Sequence, residues 1–128
     1  MGELSCLAAP LQVCGREVKN RIVLPAMADF GMTGTDGLIN ERHLERYAAY
    51  AKGGVGLLVV EACAVTKLHE TRGTIKLYED SALPGLKKLA QTTTQNGTVA
   101  IVQINISPEI LSGTSVEELS REKFLQYK

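Results

Sequence analysis

Lys19-Asn20-Arg21-Ile22-Val23-Leu24-Pro25-Ala26-Met27 is the stretch on which the reading of this chain turns. Ile22 to Leu24 form a short apolar strand. Pro25 stops it, because a proline has no N–H to give to a ladder and bends the chain. Backbone groups beside that proline are left to meet something other than a neighbouring strand, such as the polar edge of a ring. The plainer reading of Pro25 is a strand terminator. Two more apolar runs follow, Gly53-Gly54-Val55-Gly56-Leu57-Leu58-Val59-Val60-Glu61-Ala62 and Val99-Ala100-Ile101-Val102-Gln103-Ile104. Leu57 to Val60 lack polar alternation, which suits a parallel strand buried on both faces, and Val99 to Ile104 supply a third buried strand.

Helical periodicity fills the gaps between these strands. Asn40 is a suitable N-cap, and Leu44, Tyr47, Ala48 and Ala51 then share one face of a helix ending at Gly53-Gly54. Leu83, Leu86, Leu89 and Ala90 share the face of a second helix, with Gly97 able to take the left-handed position after it. Ser115 and Glu118 form a capping-box pattern for a last helix containing Leu119, Phe124 and Leu125. Before the first strand, Leu11-Gln12-Val13 and Arg16-Glu17-Val18 flank Cys14-Gly15 as a small hairpin turning at Gly15. The Gly- and Thr-rich stretch from Gly31 to Gly37 is a mobile loop long enough to cover a ligand, and a second loop runs from Ala64 to Glu79. Hairpin, then β, α, β, α, β, α, calls for an α/β fold with a parallel sheet and right-handed crossovers.

The 128 residues carry 22% charged side chains and zero formal net charge, a globular composition. Without a Lys/Arg excess there is no electrostatic reason to expect nucleic acid or an anionic membrane as partner. The apolar runs fall far short of the roughly 20 residues that span a bilayer. No basic region followed by an apolar run marks a secretory signal, so the cytoplasm is the expected compartment. Cys6, Cys14 and Cys63 are an odd count without Cys-x-x-Cys spacing, and His43 and His69 stand apart, which argues against a disulfide framework and against zinc. Cys63 follows a strand and could line a site, but a small buried thiol is the commoner fate of such a residue.

Two polar residues interrupt the apolar runs. Gln103 lies inside the third strand, where a buried amide left unpaired costs roughly 1–3 kcal/mol, so it is expected to meet a ligand or a neighbouring backbone group. Its carboxamide offers both a donor and an acceptor. Glu61 ends the second strand, and a solvated strand end or an ion pair is its ordinary explanation. In parallel α/β folds ligands gather at the carboxyl ends of the strands, where all of these residues lie.

With those three strand motifs in order, residues 8 to 105 resemble the N-terminal portion of the old yellow enzyme family, the NADH:flavin oxidoreductases that bind FMN in a TIM barrel. The resemblance implies that Pro25, Ala26 and Met27 contact the flavin ring and its ribityl chain. It further implies that Ala62 approaches the ring, that Gln103 bonds its pyrimidine edge, and that Phe30 lies near the substrate. It implies FMN as cofactor and NADH or NADPH as reductant, with hydride passed to an electron-poor alkene on a small-molecule substrate. Ala28 stands where relatives carry Cys or Thr. After Gln103 the chain reads Asn105-Ile106-Ser107-Pro108-Glu109 in place of the family's His and Gly-Arg.

A complete (β/α)8 barrel takes roughly 250 residues. The expectation for residues 1–128 is therefore a single incomplete domain, a partial (β/α)8 barrel of an N-terminal hairpin and about three β/α units. No catalytic residue of the family's later strands falls within it. An open sheet would expose edges and an apolar inner face that a closed barrel hides, so these residues are expected to be inactive alone and to form a homo-oligomer if stable. The alternative is a noncatalytic self-assembling α/β protein completed by another copy. An unrelated binding domain is a third reading, but Gly31 to Gly37 has neither Rossmann nor P-loop spacing.

Overall fold

A computed structural model describes residues 5–29, 32–67, 70 and 73–105. The expected last helix at Ser115 to Leu125 and the candidate residue Phe30 lie outside the described residues. A single helical turn, α1 (Ser5–Ala8), leads into a hairpin of β1 (Leu11–Val13) and β2 (Arg16–Val18). The hairpin is antiparallel, with Leu11 opposite Val18 and Val13 opposite Arg16. Its turn residues Cys14 and Gly15 both have positive φ, 48° and 77°, the pattern that matches the twist of a two-residue hairpin.

The main sheet has four strands: β3 (Val23–Leu24), β4 (Leu57–Ala64), β5 (Ile75–Lys76) and β6 (Val99–Asn105). All pairings are parallel. Strand β6 runs along β4 from Leu57↔Val99 to Ala64↔Asn105, so β3 and β5 share the other edge of β4. The crossover from β3 to β4 is α2 (Glu41–Lys52), and that to β6 contains α3 (Leu83–Thr94).

Helix α2 begins as its sequence predicts. The Asn40 side chain accepts from the His43 N–H, and the Asn40 N–H donates back to His43 Nδ1. Its buried face holds Leu44, Tyr47 and Ala51, with Ala48 half-buried. Leu44 and Tyr47 meet Leu58 and Val60 of β4, together with Leu24, Cys63, Ile75 and Leu89, in the core between helices and sheet. Gly97 is left-handed as expected, with φ 66°, although α3 ends at Thr94 and is capped by Gln95.

Three features depart from the sequence reading. Strand β4 extends to Ala64, so Glu61 and Cys63 lie inside it rather than at or beyond its end. The stretch read as one loop from Ala64 to Glu79 holds β5, which pairs with Cys63 and Ala64. Strand β6 is not buried on both faces: Ile101 is 47% exposed and Ile104 64%. An apolar run reports that a strand is built for cover. Among the described residues only β4 pairs with it, and the cover a closed barrel provides is not there.

Candidate functional site

The carboxyl ends of β3, β4 and β6 bring the sequence-predicted residues to one side of the molecule. Pro25, Ala26 and Met27 continue directly from β3, whose Leu24 is in register with Leu58. On the opposite edge of β4, Ala62 is in register with Gln103 of β6, so the two side chains leave the sheet on the same face. Pro25 is exposed, Ala26 and Ala62 are half-buried, and Met27 is 39% exposed. Gln103 is exposed rather than buried, so its amide is open to solvent and bears no penalty for an unmet partner. Small side chains at Ala26 and Ala62 leave room for a flat ring to approach the sheet. The carboxamide beside them can face a ring edge of alternating acceptors and donors.

Behind this surface lies a buried polar network that the sequence reading did not assemble. The register of β4 against β6 slips between Val60 and Ala62, leaving Glu61 as the extra residue of a bulge. The slip turns Glu61 inward next to Val60, where it is fully buried. There Oε2 accepts the Asp29 N–H at 2.9 Å, and Oε1 lies 3.1 Å from His43 Nε2. That histidine contact is off the line of a well-formed hydrogen bond, so it is chiefly electrostatic. His43 Nδ1 lies 3.2 Å from the Asn40 N and 2.9 Å from Asn40 Oδ1, while Nε2 faces both Glu61 and Thr33 Oγ1, the latter at 3.2 Å. Thr33 in turn donates to the Gly73 carbonyl.

Arg46, one helical turn beyond His43, extends the network toward the surface. Its Nη1 is 3.8 Å from Glu61 Oε2, and its Nη2 donates to the Met27 carbonyl at 3.2 Å. The Tyr47 hydroxyl accepts the Glu61 N–H at 3.0 Å, which satisfies the backbone donor that the bulge frees from the ladder. The signal available in the sequence was His43, Arg46 and Tyr47 at helical spacing with a carboxylate inside an apolar strand. Only the crossover shows that they meet.

Burial pushes the Tyr47 phenol up to about 12, and burial together with the Glu61 carboxylate pushes the Cys63 thiol from about 9 to about 12. Both groups hold their protons more tightly folded than unfolded. Their contribution to stability is therefore complete below about pH 9 and is lost as pH rises toward about 12. Iodoacetamide at about pH 8 is expected to alkylate the exposed Cys6 and Cys14 and to spare Cys63 in the folded chain, read by mass spectrometry. Rapid labelling of Cys63 would show that β4 is not packed as described.

A second polar group ties the neighbouring loops together. Lys76 lies 3.7 Å from both Glu70 and Glu79, and the Tyr78 hydroxyl donates to Glu70. That bond holds the Tyr78 phenol up, to about 12. The Lys76 N–H donates to the Gly37 carbonyl, linking β5 to the loop before α2. Among the described residues no group of three or more His, Cys, Asp or Glu could hold a metal ion, and no helix is long and apolar enough to cross a membrane.

Comparison with known proteins gives one consistent result. The model of the NADH:flavin oxidoreductase / NADH oxidase family matches residues 6–123. A metal reductase of Desulforamulus reducens is 31% identical over 101 residues, 79% of this chain and 15% of that protein. An NADPH dehydrogenase of Listeria monocytogenes is 33% identical over 88 residues, 68% of this chain and 26% of that protein. Among solved structures, a 2-naphthoyl-CoA reductase in complex with 2-naphthoyl-CoA superposes with a TM-score of 0.75 at 34% identity, over 80% of this chain and 16% of that one. Old Yellow Enzyme from a Pichia species superposes with a TM-score of 0.74 at 24% identity, over 84% of this chain and 29% of that one, a likeness of fold. The chain thus spans 15–26% of the length of these two sequence relatives.

Proposed function

This chain belongs to the NADH:flavin oxidoreductase / NADH oxidase family, and on that footing we propose that it is the N-terminal portion of an FMN-dependent oxidoreductase of the ene-reductase type. The observation that carries the reading is the gathering of Pro25, Ala26, Met27, Ala62 and Gln103 at the carboxyl ends of three adjacent parallel strands. FMN, when bound, supplies hydride transfer from NADH or NADPH to an activated alkene. This chain's own residues orient it. Pro25, Ala26 and Met27 would contact the ring and its ribityl chain, Ala62 would approach the ring, and the Gln103 carboxamide would bond its pyrimidine edge. The family resemblance assigns Phe30, which lies outside the described residues, to the small-molecule substrate. The names of the relatives, a metal reductase, an NADPH dehydrogenase and a naphthoyl-CoA reductase, support reductive chemistry with varied acceptors.

Residues 1–128 form one incomplete domain in this proposal and do not turn over substrate alone, working in the cytoplasm as part of a larger barrel. The alternative, a noncatalytic chain completed by a second copy, is favoured by one observation, the 64% exposure of Ile104 on β6. Gel filtration of the chain after incubation with FMN, with absorbance and light scattering read together, tests both. Flavin absorbance co-eluting with the protein is the expected outcome, and light scattering then reports one copy or several. A protein peak without flavin would count against retention of FMN by these residues. A monodisperse monomer would remove the self-completed assembly.

A further inference from the structure

We propose that Glu61 and Arg46 are positioning residues for the flavin-facing segment, acting as a two-point clamp on the backbone on either side of Ala28. The inference rests on the flavin reading above. It adds a role for two residues that do not touch the proposed ring position.

The segment from Met27 to Asp29 has left the sheet, so no ladder fixes its path. Two side-chain contacts hold it, beside the Met32 N–H that donates to the Asp29 carbonyl at 2.8 Å. Arg46 Nη2 donates to the Met27 carbonyl at 3.2 Å, and Glu61 Oε2 accepts from the Asp29 N–H at 2.9 Å. The two clamping groups are themselves coupled, 3.8 Å apart. The carboxylate is anchored from behind by His43, whose ring is held by the capping box at the start of α2. Glu61 is fully buried and carries an oxygen, Oε1, without a well-aligned hydrogen bond. A buried carboxylate is a poor choice for cohesion alone, since apolar residues of similar size often serve as well or better. Its geometry makes sense as a fixed acceptor aimed at a loop amide, with a charge-assisted bond roughly twice as strong as a neutral one. Met27 thereby reaches the ring position from a backbone held on its carbonyl side, and the residue facing the flavin inherits its orientation from α2 and the β4 bulge.

The test uses Arg46→Met and Glu61→Gln in the intact chain. Arg46 has a side chain 22% exposed at the rim of the core, so its loss leaves packing largely in place. Glu61→Gln keeps an oxygen for the Asp29 N–H while removing the charge. Amide hydrogen exchange at Asp29, measured by NMR without FMN, is expected to be about tenfold faster in Glu61→Gln than in wild type. FMN titration followed by absorbance is expected to show affinity weakened about tenfold in Arg46→Met, with an altered band shape, and restored toward wild type in Arg46→Lys. Unchanged far-UV circular dichroism establishes that each variant is folded. Folded variants that bind FMN with wild-type affinity and spectrum would overturn the clamp while leaving the flavin reading intact. Wild-type protein that binds no FMN would overturn retention of the flavin by these residues, and the clamp's role in it.

Discussion

Replacing Glu61 with alanine is expected to lower the unfolding free energy by about 3–5 kcal/mol, the usual result of removing one partner of a buried polar pair and leaving the other unmet. The loss has several parts. The Asp29 N–H loses its acceptor, His43 is left fully buried facing a void, and Arg46 loses the partner that orients it toward Met27. Each stranded polar group costs on the order of 1–3 kcal/mol, and the sum is limited only by how far water can enter. A domain of ordinary stability, about 5–15 kcal/mol, would be brought near its threshold. Urea unfolding measures this through the midpoint at constant slope. Removing both sides, Glu61→Leu with His43→Leu, is expected to recover part of the loss, because the carboxylate and the imidazole then leave the core together, while the Asp29 N–H still lacks its acceptor. A Glu61→Ala midpoint equal to wild type would mean that the carboxylate is hydrated in solution and the network is not closed.

Gly56→Ala is expected to cost about 3 kcal/mol, at the upper end of what overpacking usually does. A Cβ at this position would sit 2.5 Å from the Asn20 carbonyl oxygen, 2.6 Å from Asn20 Oδ1 and 2.9 Å from a Val18 methyl. Little there can yield. The Asn20 side chain is itself fastened, donating to the Gly54 carbonyl and accepting from the Ile22 N–H. Gly56 also gives its N–H to Ile22 and its carbonyl to the Val99 N–H, so moving it disturbs β3 and β6 at once. Thermal unfolding compares this variant with Gly53→Ala. There the added carbon meets helix carbonyls no closer than 3.3 Å and the backbone is ordinarily helical, so a much smaller loss is expected. Equal losses at the two glycines would refute the close approach of β2, β3 and β4.

What could be read from the residues alone was whatever is decided locally. The hairpin at Cys14-Gly15, the stop at Pro25, the Asn40 cap and the apolar face of α2 each depend on a few neighbouring side chains and backbone angles, and each is found in place. The parallel order of the strands followed from their alternation with helices. Whatever depends on distant partners was not legible. A strand's apolar character cannot tell whether a neighbour is present to cover it, which is why Val99 to Ile104 and Gln103 were assigned a buried setting that the structure does not give them. The joining of Glu61, His43, Arg46 and Asp29 requires both the crossover helix and a register slip, neither of which leaves a mark in the local pattern. The assignment of Pro25, Ala26, Met27, Ala62, Gln103 and Phe30 to flavin and substrate came from resemblance. The structure adds position and exposure for all but Phe30, which lies outside the described residues.

The bulge at Glu61 acts as a change of phase within one strand. Before it, Leu58 and Val60 point to the helices; after it, Cys63 does, and Ala62 shares the open face with Gln103. A regular ladder through the same residues, without the bulge, would leave composition and apolar content untouched yet exchange the two faces downstream. The shielded thiol would face the site, and the small side chain that leaves room for a ring would face the core. For anyone aligning or redesigning this segment, where the extra residue falls therefore weighs more than several substitutions along the strand, because it decides which half of the strand the pocket sees.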